Sequence, residues 1–179
     1  MAPDMVIWVT GLSGSGKTTL AKEIIAQLKN DGLRPILLDG DELREVFFHS
    51  QKKENKHDPS TRLDLALQYS SLARLLSQQG FAVVVATISI FHVVHDWNRN
   101  NIPNYFEIYL DTPMSELKRR DSKGIYSRYE AGEIKNVAGL DLRIEKPTNP
   151  DLTISFGSKN TDDLYTLEIL KIIKNKLTW

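Results

Sequence analysis

Fourteen residues near the start of the chain, the run MVIWVT (Met5 to Thr10) followed without a gap by Gly11-Leu12-Ser13-Gly14-Ser15-Gly16-Lys17-Thr18, restrict the fold more than anything else in the sequence. A short, unbroken apolar run of this kind reads as a strand buried on both faces, which a parallel sheet between two layers of helix provides. Lys17 to Lys29 then carries Leu20, Ile24, Ile25 and Leu28 on one helical face and stops near Gly32. The turn between strand and helix fits G-x-x-x-x-G-K-[ST], the phosphate-binding loop. Glycines at 11, 14 and 16, with Ser13 and Ser15 between them, let successive amide N–H groups point inward at phosphate oxygens. The helix N-terminus adds its positive dipole end. Lys17 supplies a mobile cation for β- and γ-phosphates, and the Thr18 hydroxyl is placed to bind Mg²⁺. Thr19 is either a further contact or a first-turn packing residue.

The rest of the chain repeats the same alternation. PILLD (Pro35 to Asp39), Phe81 to Ile88, YFEIYL (Tyr105 to Leu110) and Leu152 to Ser155 read as further strands. Helical patterns fall on Arg62 to Gln79 (Leu65, Tyr69, Leu72, Leu75, Leu76), Pro113 to Arg120, and Asp162 to Leu177 (Leu164, Leu167, Leu170, Ile173, Leu177). Strands alternating with helices predict an α/β fold, about five parallel strands covered on both faces. Ser50 to Ser60 is polar and reads as a mobile loop. Asp121 to Pro150 is long, charged and dotted with Gly and Pro; loops of that length in a compact domain are commonly functional, so 121–150 reads as a lid. With 179 residues and no internal repeat or linker, the chain reads as one domain, 1–179.

Composition removes other classes. Twenty-three basic and twenty-three acidic residues cancel, against the basic excess that nucleic-acid binding requires. There is no cysteine, so disulfides, thiolate metal sites and thiol nucleophiles are excluded. The longest apolar run is far shorter than the roughly 20 residues of a membrane helix. No signal peptide fits, and the expected location is cytoplasmic.

A phosphate loop implies a nucleoside triphosphate without saying what is done with it. Asn55-Lys56-His57-Asp58 spells the guanine motif N-K-x-D, but it lies early, in a polar stretch with no strand before it, and is a chance match. Asp39-Gly40-Asp41 is more informative, because it closes the second strand, where open parallel sheets bind ligands. A carboxylate there can orient Mg²⁺ or accept the proton of an attacking hydroxyl, or it can simply cap the next helix. Arg44 follows Asp41 by three, on the same helical face, and could hold an anionic acceptor. His92 and His95 share a helical spacing that suits acceptor contacts or solvation better than a metal. Trp97 with Arg99 could clamp an acceptor or pack in the core.

At this point the chain resembles a family. GLSGSGKT, LLDGDELR (Leu37 to Arg44), TISI (Thr87 to Ile90), YLDTP (Tyr109 to Pro113), RDSKGIY (Arg120 to Tyr126) and AGEIKNVAGLD (Ala131 to Asp141) are similar to adenylylsulfate kinase, from about Val6 to Asp151. The resemblance implies a P-loop kinase that moves the γ-phosphate of ATP, with Mg²⁺, to the ribose 3′-hydroxyl of a nucleotide-linked acceptor, and it leaves room for a homodimer. It implies Lys17 and Asp39 as catalytic groups, and Thr18 with Asp39 at the metal. Arg120 joins the loop residues in holding ATP, and Asp41, Arg44, Arg62, Ser89 and Lys123 hold the acceptor. Tyr126, Lys135 and Leu140 match lid positions of the family.

The departures cluster in the acceptor half. Where the family has Asp-Arg, then Asn and two Arg, this chain has Thr61-Arg62, Leu65, Leu67 and Gln68. The two Phe that sandwich the acceptor's adenine fall at His57 and Val137, the Pro after Ser89 is Ile90, and a nearby Arg is His92. Losing such groups should weaken adenylyl sulfate by several kcal/mol, at about 1–3 kcal/mol per buried charged hydrogen bond. The pattern, with the stretch Thr87 to Asn101, resembles more closely the branch that phosphorylates cytidine diphosphoramidate for capsule modification. Adenylylsulfate kinase proper is the alternative. A silent nucleotide-binding regulator and a nucleotide hydrolase are the readings from other classes. The intact Lys17, Thr18 and Asp39 count against the first. The lack of an acid closing the third strand counts against the second.

Overall fold

A computed structural model describes residues 4–47, 59–157 and 163–177. In chain order the elements are β1 (Met5–Gly11), α1 (Lys17–Asn30), β2 (Pro35–Asp39), α2 (Gly40–Phe47), α3 (Pro59–Ser77), β3 (Ala82–Thr87), α4 (His92–Asn101), β4 (Tyr105–Asp111), α5 (Met114–Arg120), α6 (Ile125–Glu130), β5 (Leu152–Ser155) and α7 (Asp163–Lys176). The five strands form one sheet in the order β2-β3-β1-β4-β5, and every pairing is parallel.

β1 sits in the middle and is buried along its whole length, as its uninterrupted apolar run requires. Its side chains still alternate. Met5, Ile7 and Val9 pack with α1 and α7 through Ile24, Leu28 and Ile173. Val6 and Trp8 face the other way, onto α2, α3 and α4 through Leu43, Leu65, Tyr69 and Val94. A third cluster lies beyond the strand ends and holds the 121–150 segment down, with Leu12, Ile90, Leu117, Tyr126 and Val137 buried together. Among the described residues no helix is long and apolar enough to cross a membrane.

Three details differ from the expectations. α3 starts at Pro59, not Arg62, because proline loses no hydrogen bond in a first helical turn; Leu75, placed on its inner face, is 54% exposed. On α7 the buried set is Ile169, Leu170, Ile173 and Leu177, while Leu167 is exposed. The inward face read over Leu164, Leu167, Leu170, Ile173 and Leu177 holds at Leu170, Ile173 and Leu177 and fails at Leu167, because nearly continuous Leu and Ile blur the boundary of that face. α6 falls in the segment read as loop. It is too short to show a period, and the Asp121 carboxylate opens it, accepting from the N–H groups of Tyr126 (3.0 Å) and Ser127 (2.9 Å). The loop expected at 50–60 and the N-K-x-D letters fall almost wholly outside the described residues, as do Asp162 and the side chain of Leu164.

Candidate functional site

The carboxyl ends of β1, β2 and β3 open into a cavity of about 740 Å³. Chain order explains its place. From β1 the chain runs outward to β2 and β3 on one side, then crosses to β4 and β5 on the other, and such a reversal leaves a crevice at the strand ends.

One wall is the phosphate-binding loop. Gly14 (φ 77°) and Gly16 (φ 98°) take backbone shapes that side chains disfavour, and Gly16 immediately precedes α1. Ser13, Gly14, Gly16, Lys17, Thr18 and Thr19 line the cavity. Gly11 and Ser15 do not; both are buried behind the loop, where a Cβ on Gly11 would stand 2.7 Å from Ser15 Oγ and 2.9 Å from the Leu110 carbonyl. Lys17, a mobile cation by its motif, is half-buried, and its Nζ donates to the Leu12 carbonyl at 2.7 Å. Burial, helped by the Lys123 ammonium and opposed by Asp41 and Asp39, lowers the Lys17 pKa from 10.5 to about 8. The tertiary structure supplies that desolvation, and the motif alone does not show it.

β2 delivers the acids. The buried Asp39 carboxylate accepts from Thr18 Oγ1 at 2.7 Å and, through its other oxygen, from the Asp41 N–H at 2.9 Å. It therefore caps α2 and also stands against the phosphate loop, so the two readings of this residue are compatible. Gly40 is required by close approach: a Cβ there would stand 2.9 Å from Thr87 Oγ1 on β3. Asp41 pairs with Lys123, across the cavity mouth, and lies 3.8 Å from Arg44. Burial works to raise the Asp41 carboxyl, but Lys123, Arg44 and Lys17 together hold it below its ordinary value.

The far wall comes from α3 and the 121–150 segment. Arg62 donates to the Asn136 carbonyl at 2.7 Å, tying the two together. The Asp141 carboxylate accepts the N–H groups of Asn136 (2.8 Å) and Val137 (2.6 Å), which sets the turn that presents Val137 to the cavity. Tyr126 is buried and donates to the Ser13 carbonyl at 2.8 Å, so the segment is latched to the phosphate loop. Arg120 lines the cavity; Glu116 accepts its Nε at 2.7 Å, and its guanidinium lies over Phe156. Seven lining residues are Lys or Arg and two are Asp, so a chain of zero net charge carries a strongly cationic cavity suited to polyphosphates.

Most of the residues named from sequence converge, but not all. Ser89 lies outside the main cavity, in a small annex, with its hydroxyl 2.9 Å from Thr87 Oγ1. Leu65 also lines the annex, whereas Leu67 and Gln68 line neither space, so only one of those three departures bears on the wall. His57 lies outside the described residues. His92 and His95 do not share a face: His92 Nε2 stands 2.9 Å from the Lys146 carbonyl, and His95 is buried 2.8 Å from Glu107. Trp97 packs against the second core cluster, and Arg99 pairs with Glu107 and Asp151. None of these four reaches the cavity, because α4 turns them toward β4 and the 145–151 segment. Lys135 lines the cavity, while Leu140 packs in the third cluster. Ser122, inside the RDSKGIY motif, and Arg128, one of the basic residues of the 121–150 segment, also line it, although the sequence assigned neither a role.

A five-stranded parallel sheet with the phosphate loop on β1, a threonine bonded to a carboxylate on β2 and a cationic cavity over both defines a P-loop kinase. The family model described as adenylylsulphate kinase matches residues 3–155, and the chain belongs to that family. It is 43% identical over 155 residues to a cytidine diphosphoramidate kinase of Campylobacter jejuni, covering 87% of this chain and 88% of that protein. It is 36% identical over 159 residues to an adenylyl-sulfate kinase of Pseudomonas aeruginosa, covering 88% of this chain and 79% of that one. In structure it is similar to the Mycobacterium tuberculosis APS kinase in complex with AMPPNP and APS. That similarity has a TM-score of 0.83 and 31% identity, over 94% of this chain and 96% of the other. The protein is therefore a phosphotransferase, an ATP-using kinase of the APS-kinase type.

Proposed function

We propose that the protein transfers the γ-phosphoryl group of ATP to the ribose 3′-hydroxyl of cytidine diphosphoramidate, in preference to adenylyl sulfate. The observation that carries this reading is Val137. Asp141 and the turn it sets press a small aliphatic side chain, where the family places a stacking Phe, into the wall of the cavity. Stacking on an aromatic ring is worth about 1–3 kcal/mol per base, and a purine loses more by its absence than a pyrimidine. The 43% identity to the Campylobacter protein supports the same acceptor.

The residues divide the work as follows. Lys17 leaves the Leu12 carbonyl for the β- and γ-phosphate oxygens, where its charge counts as negative charge moves off the transferring group. Thr18 Oγ1 and the Asp39 carboxylate are paired hard oxygen donors, a set that fits Mg²⁺. When bound, that ion neutralises phosphate charge. Asp39 also accepts the proton of the acceptor hydroxyl as its oxygen bonds to the γ-phosphorus and the bond to the β,γ-bridging oxygen breaks. Arg44 and Arg62 hold the acceptor's diphosphate. Residues 121–150 act as a lid: entry of the acceptor breaks the Lys123–Asp41 pair and frees both side chains for it. This chemistry belongs in the cytoplasm, where ATP is supplied, and its product serves capsule modification.

The test is kcat/KM for the two acceptors at one Mg-ATP concentration. Cytidine diphosphoramidate should be favoured by at least about tenfold, a transition-state difference of about 1.4 kcal/mol. A tenfold preference for adenylyl sulfate overturns the reading.

A further inference from the structure

The annex beside the main cavity contains a feature that neither the nucleotide donor nor the core uses. It measures about 60 Å³ and shares Arg44, Arg62, Thr87 and Ile88 with the main cavity, so the two are continuous. One of its walls is Tyr69, on the inner face of α3. The residue is 2% exposed, and its ring packs against Phe47 at 5.7 Å between centroids. Its hydroxyl is buried and has no hydrogen-bond partner among the described residues. Buried phenol hydroxyls are ordinarily bonded, and an orphan is costly. Burial raises the Tyr69 pKa, so the phenol is neutral. Around it stand the apolar Leu65, Ile90 and Phe91, the Thr87–Ser89 hydroxyl pair, and Arg44, Arg62 and Arg143.

We propose that Tyr69 is a specificity-determining residue whose hydroxyl pairs with the terminal group of the acceptor's phosphate chain, the amide-type nitrogen or an oxygen on its last phosphorus. At about 60 Å³ against about 740 Å³ for the main cavity, the annex suits the end of the acceptor's phosphate chain and not its nucleoside. Arg44 and Arg62 line both spaces, so phosphate oxygens held by them would leave the end of the chain at the annex. A phenol can accept from an N–H group and donate to a phosphoryl oxygen, which suits a terminus offering both. The nucleoside remains in the main cavity beside Val137. This assignment rests on the phosphoramidate reading above.

The experiment is Tyr69→Phe, with binding measured by calorimetry on protein holding Mg-ADP. Cytidine diphosphoramidate is compared with cytidine monophosphate, which lacks the terminal group. Loss of a buried hydrogen bond should weaken the first at least about tenfold and leave the second within about twofold. The ligand-free variant should melt higher than wild type, because the change removes an unpaired buried hydroxyl and keeps the ring. Equal weakening of both ligands, or weakening of neither, overturns the proposal. If wild type instead prefers adenylyl sulfate, the phosphoramidate reading has failed. Tyr69 is then judged by the same difference between adenylyl sulfate and AMP: a loss confined to adenylyl sulfate keeps it as a specificity residue, and no difference removes it.

Discussion

Raising the pH should expose the state of Lys17. Its pKa is about 8 in the free protein against 10.5 ordinarily, because burial in the phosphate loop outweighs the help of Asp41 and Asp39. ATP brings several negative charges to the ammonium, so the bound form holds its proton well above pH 8. Binding Mg-ATP must then take up about 0.1 proton at pH 7, about 0.5 at pH 8 and about 0.9 at pH 9. The dissociation constant should rise about tenfold from pH 7 to pH 9 for this reason alone. Calorimetry in two buffers of different ionisation enthalpy measures the uptake directly. Lys17→Met removes the titrating group, so its uptake should stay flat across the range while turnover is abolished. Stability carries the opposite sign. The unfolded chain binds more protons between about pH 8 and 10.5, so wild type gains stability relative to Lys17→Met as pH rises through that window. At pH 7 the variant should be the more stable, by some fraction of the roughly 3 kcal/mol that a shift of this size represents, since the side chain is only half-buried. Uptake below about 0.1 proton at pH 9 would refute the argument.

Two further changes probe the same wall. Asp39→Asn should lower kcat by at least about a hundredfold and leave ATP affinity within a few-fold, since its proposed contacts count most in the transition state; loss of ATP binding with kcat retained would show the role misassigned. Gly40→Ala should destabilise by about 1–3 kcal/mol in urea titrations, because its Cβ would stand 2.9 Å from Thr87 Oγ1, and the same change should cost less when made in a Thr87→Ala background, where that oxygen is gone.

What the sequence determined by itself is local. The apolar run of β1 and the glycine spacing after it placed the phosphate loop, since both depend on residues adjacent in the chain. Both ends of β2 and β5, and most of the remaining elements to within a few residues, followed from period and from Gly and Pro punctuation. Lys17, Thr18, Asp39, Arg44 and Arg62 were legible as chemistry because their motifs are contiguous or nearly so. The tertiary structure decided whatever depends on partners far apart in the chain. Lys17 is desolvated and lowered partly by Lys123, which arrives from beyond α5, and Tyr126 latches to Ser13 across 113 positions. Ser89 is drawn into the annex by Thr87, and His95 is turned onto Glu107 instead of toward an acceptor. Tyr69 read as one more apolar position on the inner face of α3, and its ring does pack there. That its hydroxyl has no partner among the described residues depends on what β3, Ile90 and Phe91 do not offer, and burial without a partner is a property of the assembled walls that no spacing along one helix encodes.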